Sequence, residues 1–316
     1  MDRILVSGGA GFIGSHLCEF LLKKGYYIYC LDNFSTGRRN NISHLMNYDD
    51  YNLIEHDIID SIDIEVDKIF NLSCPASPEQ YQKNPIKTMK TSILGIYNLI
   101  DLSLKYNAHL IHASTSEIYG DPLEHPQKES YWGNVNPVGI RSCYDEGKRC
   151  SETIIMDYIR KENLSASIVR IFNTYGPHML ENDGRVVSNF IVNALLDNNI
   201  IINGDGAQTR SFCYVSDLLF AFENILDKQY IGPINIGNPN ETTILELCQL
   251  VIALTKSTSN YSFRELPEDD PLKRKPDISL AKKELNWEPR ISLKEGLIKT
   301  ICFFKEKKYE SDPAKN

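Results

Sequence analysis

The stretch Ile4-Leu5-Val6-Ser7-Gly8-Gly9-Ala10-Gly11-Phe12-Ile13-Gly14 decides the fold. Its apolar start predicts a buried strand, its glycines predict a tight turn, and apolar residues at helical spacing follow from Phe12. The spacing Gly8-x-x-Gly11-x-x-Gly14 differs by one residue from the G-x-G-x-x-G pattern. In both patterns the backbone can approach a pyrophosphate at the N-terminus of the helix. We therefore predict a dinucleotide-binding βαβ unit at the start of the chain.

An acidic residue at the end of the second predicted strand indicates which dinucleotide binds. The Asp32 carboxylate can accept hydrogen bonds from the ribose hydroxyls of NAD, and it would repel the 2′-phosphate of NADP. Arg38 and Arg39 follow closely enough to keep NADP conceivable. Asp57 and Ile58, after the third predicted strand, could flank the adenine, although an Asp there could equally cap a turn. The cofactor that the sequence favours is NAD.

Short apolar runs alternate with longer helical patterns, which is typical of parallel βαβ winding. We predict an α/β fold, a Rossmann-type doubly wound parallel sheet with a smaller C-terminal substrate-binding lobe. Residues 1–173 would form the NAD-binding domain, joined by segments near 212–237, and residues 174–316 would mainly form the substrate-binding lobe. The predicted strands are Ile4–Val6, Tyr27–Leu31, Leu53–Ile54, Ile69–Leu72, Leu110–Ala113 and Ser167–Ile171, and the predicted helices are Phe12–Leu22, Ile86–Leu104 and Cys143–Ile159.

Composition excludes several classes of protein. A net charge of −8 over 316 residues argues against a general binder of nucleic acid or anionic membranes. The eight cysteines form no C-x-x-C pair and no His stands at zinc-finger spacing, so we expect reduced thiols and no metal. No apolar run reaches the ~18 residues of a membrane span, and the first residues lack the apolar core of a signal peptide. We expect a cytoplasmic protein.

Two segments carry the predicted chemistry. Thr115 follows a predicted strand, at the sheet edge where ligands of α/β proteins bind. Tyr144 and Lys148 stand four residues apart, so they share one face of a helix. A lysine ammonium favours the phenolate and should lower the tyrosine pKa, which makes Tyr144 a candidate base. Such a pair alone is often an ordinary surface pair, but Thr115 and the glycine turn point to oxidation of a sugar-type alcohol.

With these residues in place, the sequence resembles the extended short-chain dehydrogenase/reductase family, and within it the UDP-glucuronate decarboxylases (UDP-xylose synthases). The resemblance covers nearly the whole chain. Its most specific stretches are Ser73-Cys74-Pro75-Ala76-Ser77-Pro78, Ser114-Thr115-Ser116-Glu117-Ile118-Tyr119-Gly120-Asp121-Pro122, Cys143-Tyr144-Asp145-Glu146-Gly147-Lys148-Arg149, Arg170-Ile171-Phe172-Asn173-Thr174-Tyr175-Gly176-Pro177, Asn182-Asp183-Gly184-Arg185-Val186-Val187-Ser188-Asn189-Phe190, Gln208-Thr209-Arg210, and Asp269-Asp270-Pro271 with Arg274, Pro276 and Asp277. Cys74 and Ser92 depart from the family pattern, and the most we expect from them is a mild change in the contacts with NAD.

The resemblance implies a reaction and an assembly. NAD would oxidise C4 of the glucuronate ring of UDP-glucuronate with Tyr144 as base, the resulting 4-keto acid would lose CO2, and the retained NADH would reduce the ketone to give UDP-xylose. The same resemblance implies a homodimer in which the helices Ile86–Leu104 and Cys143–Ile159 pack on their counterparts.

The resemblance also assigns residues to ligands. Thr115, Ser116 and Glu117 would surround the sugar, with Glu117 ordering a water or proton donor. The NAD site would comprise Gly8, Gly11, Phe12, Ile13, Gly14, Asp32, Asn33, Ser35, Thr36, Gly37, Asp57, Ile58, Leu72, Tyr144, Lys148 and Thr174. Asn173, Arg210, Tyr214 and Arg274 would hold UDP, and Arg185 would be a cation near the cofactor or the substrate carboxylate. Each arginine could instead form a surface salt bridge.

Three other functions remain open. A nucleotide-sugar 4,6-dehydratase must expel water from C6 and needs an acid beside the base, but the middle position here is Ser116. A 4-epimerase would leave the segments that fit a carboxylate unexplained. A non-catalytic NAD-binding sensor would be expected to have lost Tyr144, Lys148 or Thr115, and all three are present.

Overall fold

The computed structural model describes residues 1–182, 184–267, 269, 271 and 273–310, with the backbone alone for 308–310. Asp183 and Asp270, which belong to two of the motifs quoted above, lie outside the described residues, as does the end of the predicted small lobe, 311–316. Among the described residues, no helix combines the length and apolar character needed to cross a membrane.

Strands and helices alternate through the first half of the chain. The strands are β1 Arg3–Ser7, β2 Tyr27–Asp32, β3 Tyr51–Glu55, β4 Lys68–Asn71, β5 His109–Thr115, β6 Ala166–Ile171, β7 Thr174–Tyr175, β8 Ile200–Asn203, β9 Thr209–Ser211, β10 Cys213–Tyr214, β11 Gly232–Ile236, β12 Glu241–Thr243, β13 Tyr261–Arg264 and β14 Lys273–Arg274. The helices are α1 Phe12–Lys23, α2 Pro78–Tyr81, α3 Pro85–Tyr106, α4 Ser142–Glu162, α5 Val186–Leu195, α6 Val215–Lys228, α7 Ile244–Thr255 and α8 Leu293–Glu310.

A seven-stranded parallel sheet forms the centre of the large lobe, in the order β11-β6-β5-β4-β1-β2-β3. The order reverses between β1 and β4, so a crevice opens beyond the carboxyl ends of these two strands. Helices cover both faces of such a sheet, so its strands are buried on both sides. This burial explains the continuous apolar runs in the sequence. The predicted Rossmann-type fold class is confirmed, and every predicted strand and helix is present with small differences at its ends.

The smaller lobe contains short strands and its own apolar core. Strands β12, β9 and β14 form one small sheet, and β13 pairs with β8. Ile191, Leu247, Val251 and Leu297 lie fully buried among the helices of this lobe. Between β10 and β12 the chain returns to the large lobe. There α6 packs on α1, and β11 adds the last strand beside β6. A cavity lies between the large lobe and the small lobe.

Candidate active site

The cavity measures about 790 Å³ and is lined by both lobes. It opens beyond the carboxyl ends of β1 and β4, where the sheet order reverses. The structure brings most of the predicted site residues to its wall. These are Gly8, Gly11, Phe12, Ile13, Gly14, Asp32, Asn33, Ser35, Thr36, Asp57, Ile58, Leu72, Thr115, Ser116, Glu117, Tyr144, Lys148, Asn173, Thr174, Arg185 and Arg210.

The glycine turn leaves no room for side chains. Gly8 has a positive φ of 75°, and a Cβ there would meet the Leu72 carbonyl oxygen at 2.7 Å. A Cβ on Gly14 would lie 2.1 Å from the Gly8 carbonyl oxygen. Gly11 is the N-cap residue of α1, and no side chain accepts a hydrogen bond from the N–H groups of the first turn. These N–H groups are therefore available to a ligand in the crevice. This arrangement suits a pyrophosphate, which needs close backbone approach and a helix N-terminus.

The Asp32 carboxylate is fixed at the end of β2. It accepts hydrogen bonds from the backbone N–H of Ala10 at 2.9 Å and of Phe34 at 2.8 Å. Burial raises the Asp32 pKa, and the two hydrogen bonds oppose that rise. Gly37 does not line the cavity but packs behind Asp32, because a Cβ there would lie 2.8 Å from both carboxylate oxygens. Arg39 is held by Glu55 at 2.5 Å, so it is already engaged by a carboxylate on β3.

Asp57 closes the far end of the predicted cofactor site. Its carboxylate pairs with Lys87 at 2.6 Å and accepts a hydrogen bond from Asn33 Nδ2 at 2.8 Å. Ile58 is buried, and the tight approach of Gly95 on α3 holds its side chain in place. Asp57 Oδ1 also accepts a hydrogen bond from the Ile59 backbone N–H at 3.2 Å, as expected of a residue that caps a turn, and the residue lies on the cavity wall.

Tyr144 and Thr115 meet because α4 begins beside the end of β5. The backbone N–H of Tyr144 donates to the Arg141 carbonyl at 3.0 Å, which starts the helix. The Tyr144 ring stacks on the Tyr81 ring with centroids 5.0 Å apart and planes 4° apart. Thr115 Oγ1 accepts from the Glu117 backbone N–H at 3.2 Å, which turns the chain after β5. Thr115 lies close enough to Tyr144 to lower its pKa.

The structure contradicts the expected lowering of the Tyr144 pKa in the chain alone. Burial raises this pKa above its usual range, and only the hydrogen bond with Thr115 acts in the opposite direction among the main causes. Lys148 is also buried, which lowers its pKa, and its Nζ donates to the Ala113 carbonyl at 2.7 Å. The lysine ammonium lies 6.0 Å from the centre of the Tyr144 ring. Additional positive charge near the Tyr144 hydroxyl would favour the phenolate.

Glu117 is held ionised by two arginines. Its Oε2 accepts from Arg141 NH2 at 2.6 Å, and its Oε1 accepts from Arg274 NH1 at 2.9 Å. Burial alone would raise the Glu117 pKa, but the guanidinium groups of Arg274 and Arg141 outweigh it and lower the pKa to about 2. Ser116 Oγ accepts from the same Arg274 NH1 at 3.0 Å. Ser116 and Glu117 therefore have fixed orientations beside Tyr144.

Two predicted substrate residues do not reach the cavity. Arg274 is 1% exposed and lies behind the wall, because its guanidinium is bound to Ser116, Glu117 and the Gly120 carbonyl. Tyr214 is buried against Tyr175, with ring centroids 5.6 Å apart. Its ring belongs to the apolar core of the small lobe. Neither residue belongs to the binding surface that the structure presents.

Sequence reasoning missed Arg141, which lines the cavity and directly precedes α4. No spacing signal marks an arginine three residues before a catalytic tyrosine, and its partner Glu117 is distant in sequence. The two departures from the family pattern also prove to be neighbours, since Cys74 Sγ lies 3.5 Å from Ser92 Oγ. Ser92 also packs against Gly147 on α4, where a Cβ would meet Ser92 Oγ at 3.0 Å.

Comparison with known proteins identifies the relatives of this chain. The sequence profile of the GDP-mannose 4,6-dehydratase family matches residues 5–300. UDP-glucuronic acid decarboxylase 1 from Arabidopsis thaliana is 50% identical over 313 residues, which cover 99% of this chain and 72% of that protein. The protein of the same name from Danio rerio is 49% identical over 302 residues, which cover 96% of this chain and 72% of that protein.

Solved structures with the same fold are more distant in sequence. UDP-glucuronic acid 4-epimerase from Bacillus cereus, in complex with UDP-glucuronic acid and NAD, aligns with a TM-score of 0.88 at 28% identity, covering 96% of this chain and 99% of that one. UDP-glucose 4-epimerase from Thermotoga maritima, with UDP-glucose, aligns with a TM-score of 0.88 at 29% identity and the same coverages, 96% and 99%.

The parallel sheet, the glycine turn and the Tyr-x-x-x-Lys pair define a short-chain dehydrogenase/reductase of the extended class. The chain belongs to the GDP-mannose 4,6-dehydratase family within that class, in which its relatives at 50% identity are UDP-glucuronic acid decarboxylases.

Proposed function

We propose that this protein is an NAD-dependent decarboxylase that converts UDP-glucuronate to UDP-xylose. The observation that carries the proposal is the state of the segment beside Tyr144. Ser116 is a hydroxyl fixed by Arg274, and Glu117 is ionised between two arginines with a pKa of about 2. Neither can protonate a hydroxyl that leaves from C6, as a dehydratase requires. A substrate that carries its own leaving carboxylate needs no such acid.

The cavity fits NAD. The side-chain-free turn at Gly8 and Gly14 and the open first turn of α1 suit the pyrophosphate, and Asp32 suits the ribose hydroxyls. The chemistry supplied by bound NAD is the removal of a hydride from C4 of the sugar and its later return. The positive charge of its nicotinamide would also lower the Tyr144 pKa, which burial raises in the chain alone.

The protein's own groups handle protons and orientation. Tyr144 takes the proton of the C4 hydroxyl, while Thr115 holds that oxygen by a hydrogen bond. Once C4 is a ketone, the C5 carboxylate is β to it, so the electrons of the breaking carbon–carbon bond pass into an enolate and CO2 leaves. A water ordered by Glu117 then delivers a proton to C5, and the hydroxide that remains takes up a proton from the solvent. Tyr144 returns its proton to the C4 oxygen as the alcohol forms again.

The nucleotide part of the substrate would occupy the small-lobe side of the cavity. Asn173 and Arg210 line that side, and Arg210 is oriented by a hydrogen bond to the Thr209 carbonyl at 2.9 Å. An arginine there suits a diphosphate. We propose that residues 1–173, with segments near 212–237, bind NAD and that residues 174–316 mainly bind the nucleotide sugar. The return of α6 and β11 to the central sheet supports that division.

A 4-epimerase of UDP-glucuronate is the second candidate. It is favoured by one observation, the TM-score of 0.88 to the Bacillus cereus enzyme named for that reaction. The two reactions share the C4 oxidation and differ in whether the carboxylate is lost. The 50% identity to decarboxylases, against 28% to that epimerase, favours loss of the carboxylate.

A product assay tests the proposal. Purified protein is incubated with UDP-glucuronate and NAD⁺, and the products are separated and identified by NMR, with released CO2 measured in parallel. We expect equal amounts of CO2 and UDP-xylose. UDP-galacturonate without CO2 would instead establish the epimerase, and a 4-keto-6-deoxy sugar formed from UDP-glucose would establish the dehydratase. Either result would overturn the decarboxylase.

We also propose a homodimer in a reducing, cytoplasmic compartment. Helix α3 exposes Ile86, Leu94, Tyr97 and Leu104 at fractions of 70%, 44%, 41% and 39%, and these residues stand at helical spacing on one face. An apolar stripe of this kind suits pairing with a second copy of the chain. All eight cysteines are free thiols, which supports a reducing environment.

A further inference from the structure

Helix α4 meets the end of strand β5 through side chains that stand four residues apart on one face of the helix. The first is Tyr144, which lies beside Thr115. The second is Lys148, whose Nζ donates to the Ala113 carbonyl at 2.7 Å. The third member of this face, one turn further along α4, is the buried acid Glu152, which does not line the cavity.

Glu152 binds two neighbouring strands near their carboxyl ends. Ser114 Oγ on β5 donates to Glu152 Oε1 at 2.5 Å. Arg170 on β6 donates to both carboxylate oxygens, from Nε to Oε1 at 3.1 Å and from NH2 to Oε2 at 2.7 Å. Ser114 and Arg170 are direct partners in the register of the two strands, so their side chains point to the same face of the sheet. The carboxylate therefore fixes the residue that stands between Ala113 and Thr115.

The same arginine holds the segment that follows Thr115. Its NH1 donates to the Tyr119 hydroxyl at 3.0 Å and to the Glu129 carbonyl at 2.8 Å. The ion pair is shielded from water, because the side chains of Arg170 and Glu152 are only 10% and 11% exposed. A buried network whose members are hydrogen-bonded in this way is rigid. The residues on both sides of Thr115 are thus tied to α4 through one carboxylate.

Glu152 also faces the buried ammonium of Lys148. Burial lowers the Lys148 pKa, while Cys74 and Glu152 oppose that change. The Cys74 thiol and the Tyr144 hydroxyl are neutral at physiological pH, because burial raises the pKa of both. His112, which faces Lys148 from β5, is neutral as well, because burial lowers its pKa. Among these neighbours, the Glu152 carboxylate is therefore the charged group that offsets the cost of burying the ammonium.

We infer that Glu152 is a positioning residue for the oxidation at C4, because its carboxylate holds the end of β5 on α4 and balances the charge of Lys148. This role rests on the proposed function, since it takes Tyr144 as the base. Without the negative charge, Lys148 would lose its proton at a lower pH and would no longer favour the phenolate of Tyr144. Glu152 acts through Lys148 and Ser114 and does not touch the sugar itself.

The proton affinity of Lys148 tests this role. Glu152→Gln keeps the shape of the side chain and an oxygen for Ser114, but it removes the charge. We expect the fall of kcat/KM for UDP-glucuronate at high pH to occur at least about one pH unit lower than in the wild type, because Lys148 gives up its proton more readily. The rate at which acetic anhydride acetylates Lys148, followed by mass spectrometry over the same pH range, should show the same shift without any turnover.

Two further variants separate the charge from the packing. Glu129→Gln is the matched control, because it changes a carboxyl at the far end of the same network, where Glu129 Oε1 accepts from the Asn235 backbone N–H at 2.8 Å. It should leave the pH dependence of both measurements unchanged. Ser114→Ala keeps the charge but removes the bond to Glu152. It should lower kcat about tenfold at every pH, the loss of one hydrogen bond to a charged group, without moving the fall at high pH.

Several outcomes would overturn this role. One is an unmoved pH dependence in Glu152→Gln, and another is an equal shift in Glu129→Gln, which would reflect a general loosening of the network. An unchanged kcat in Ser114→Ala would show that Glu152 does not hold the end of β5. If Glu152→Gln does not fold, its combination with Arg170→Gln decides, because no unpaired charge is then buried and the shift should persist. The proposed function fails separately, if the wild-type protein releases no CO2 from UDP-glucuronate while the shift in acetylation is still found.

Discussion

At the scale of single residues, the Tyr144 hydroxyl is the group on which turnover depends. Tyr144→Phe keeps the ring, and with it the stack on Tyr81, whose centroid lies 5.0 Å away. We therefore expect NAD to bind with unchanged affinity while kcat/KM for UDP-glucuronate falls by about 10² to 10⁴, the usual contribution of a positioned base. Steady-state kinetics and NAD titration measure the two effects.

Tyr81→Phe is the matched control, since it removes the hydroxyl from the other ring of the same stack. The Tyr81 hydroxyl is buried and makes no hydrogen bond among the described residues. Its removal should lower kcat/KM by less than tenfold. Equal losses in the two variants would assign the effect to the packing of the stack and would remove Tyr144 from the role of base.

At the scale of elements, the β1–α1 turn stabilises the fold as well as the cofactor site. In Gly14→Ala the new methyl group would lie 2.1 Å from the Gly8 carbonyl oxygen, so the turn must move. We expect the free energy of unfolding to fall by about 1 to 3 kcal/mol, as for other overpacked sites. In Gly11→Ala the nearest atom is at 3.2 Å, so the loss should be clearly smaller. Urea unfolding of both variants without NAD would refute this account if the two losses were equal.

At the scale of the whole molecule, the apolar face of α3 is expected to pair two chains. Leu94→Arg places a charge within that face, and we expect it to convert the homodimer to a monomer, because an unpaired buried charge opposes association. Light scattering coupled to gel filtration measures the mass. Leu123→Arg is the control on a loop, where the side chain is 83% exposed, and it should remain dimeric. A monomeric wild type, or a dimeric Leu94→Arg, would refute the proposed interface.

The sequence predicted the parts of the molecule that local patterns encode. The turn at Gly8 and Gly14, the strand before Thr115 and the spacing of Tyr144 and Lys148 are all written within short segments, and the structure confirms their positions. These segments determined the fold class and most of the cavity wall. The alternation of strands and helices predicted a parallel sheet, but the order of its strands comes from the structure.

The parts that sequence patterns did not predict depend on contacts between distant segments. Arg274 binds Glu117, which is 157 positions away in the sequence, and lies behind the wall of the cavity. Its charge therefore acts through Glu117 and not directly at the cavity surface. The elevated Tyr144 pKa is another example, because burial by surrounding segments opposes the simple pairing with Lys148. Neither the depth of a side chain nor the partner of a buried cation can be read from spacing alone.

The position of β11 at the edge of the central sheet has a consequence for synthesis on the ribosome. Strand β6 is complete once residue 171 has been made, yet its outer neighbour begins only at Gly232. During the intervening elongation, the almost wholly buried residues of β6 present an unpaired apolar edge, the kind of edge that recruits other strands. We therefore expect a fragment ending near residue 173 to aggregate more readily than the full chain.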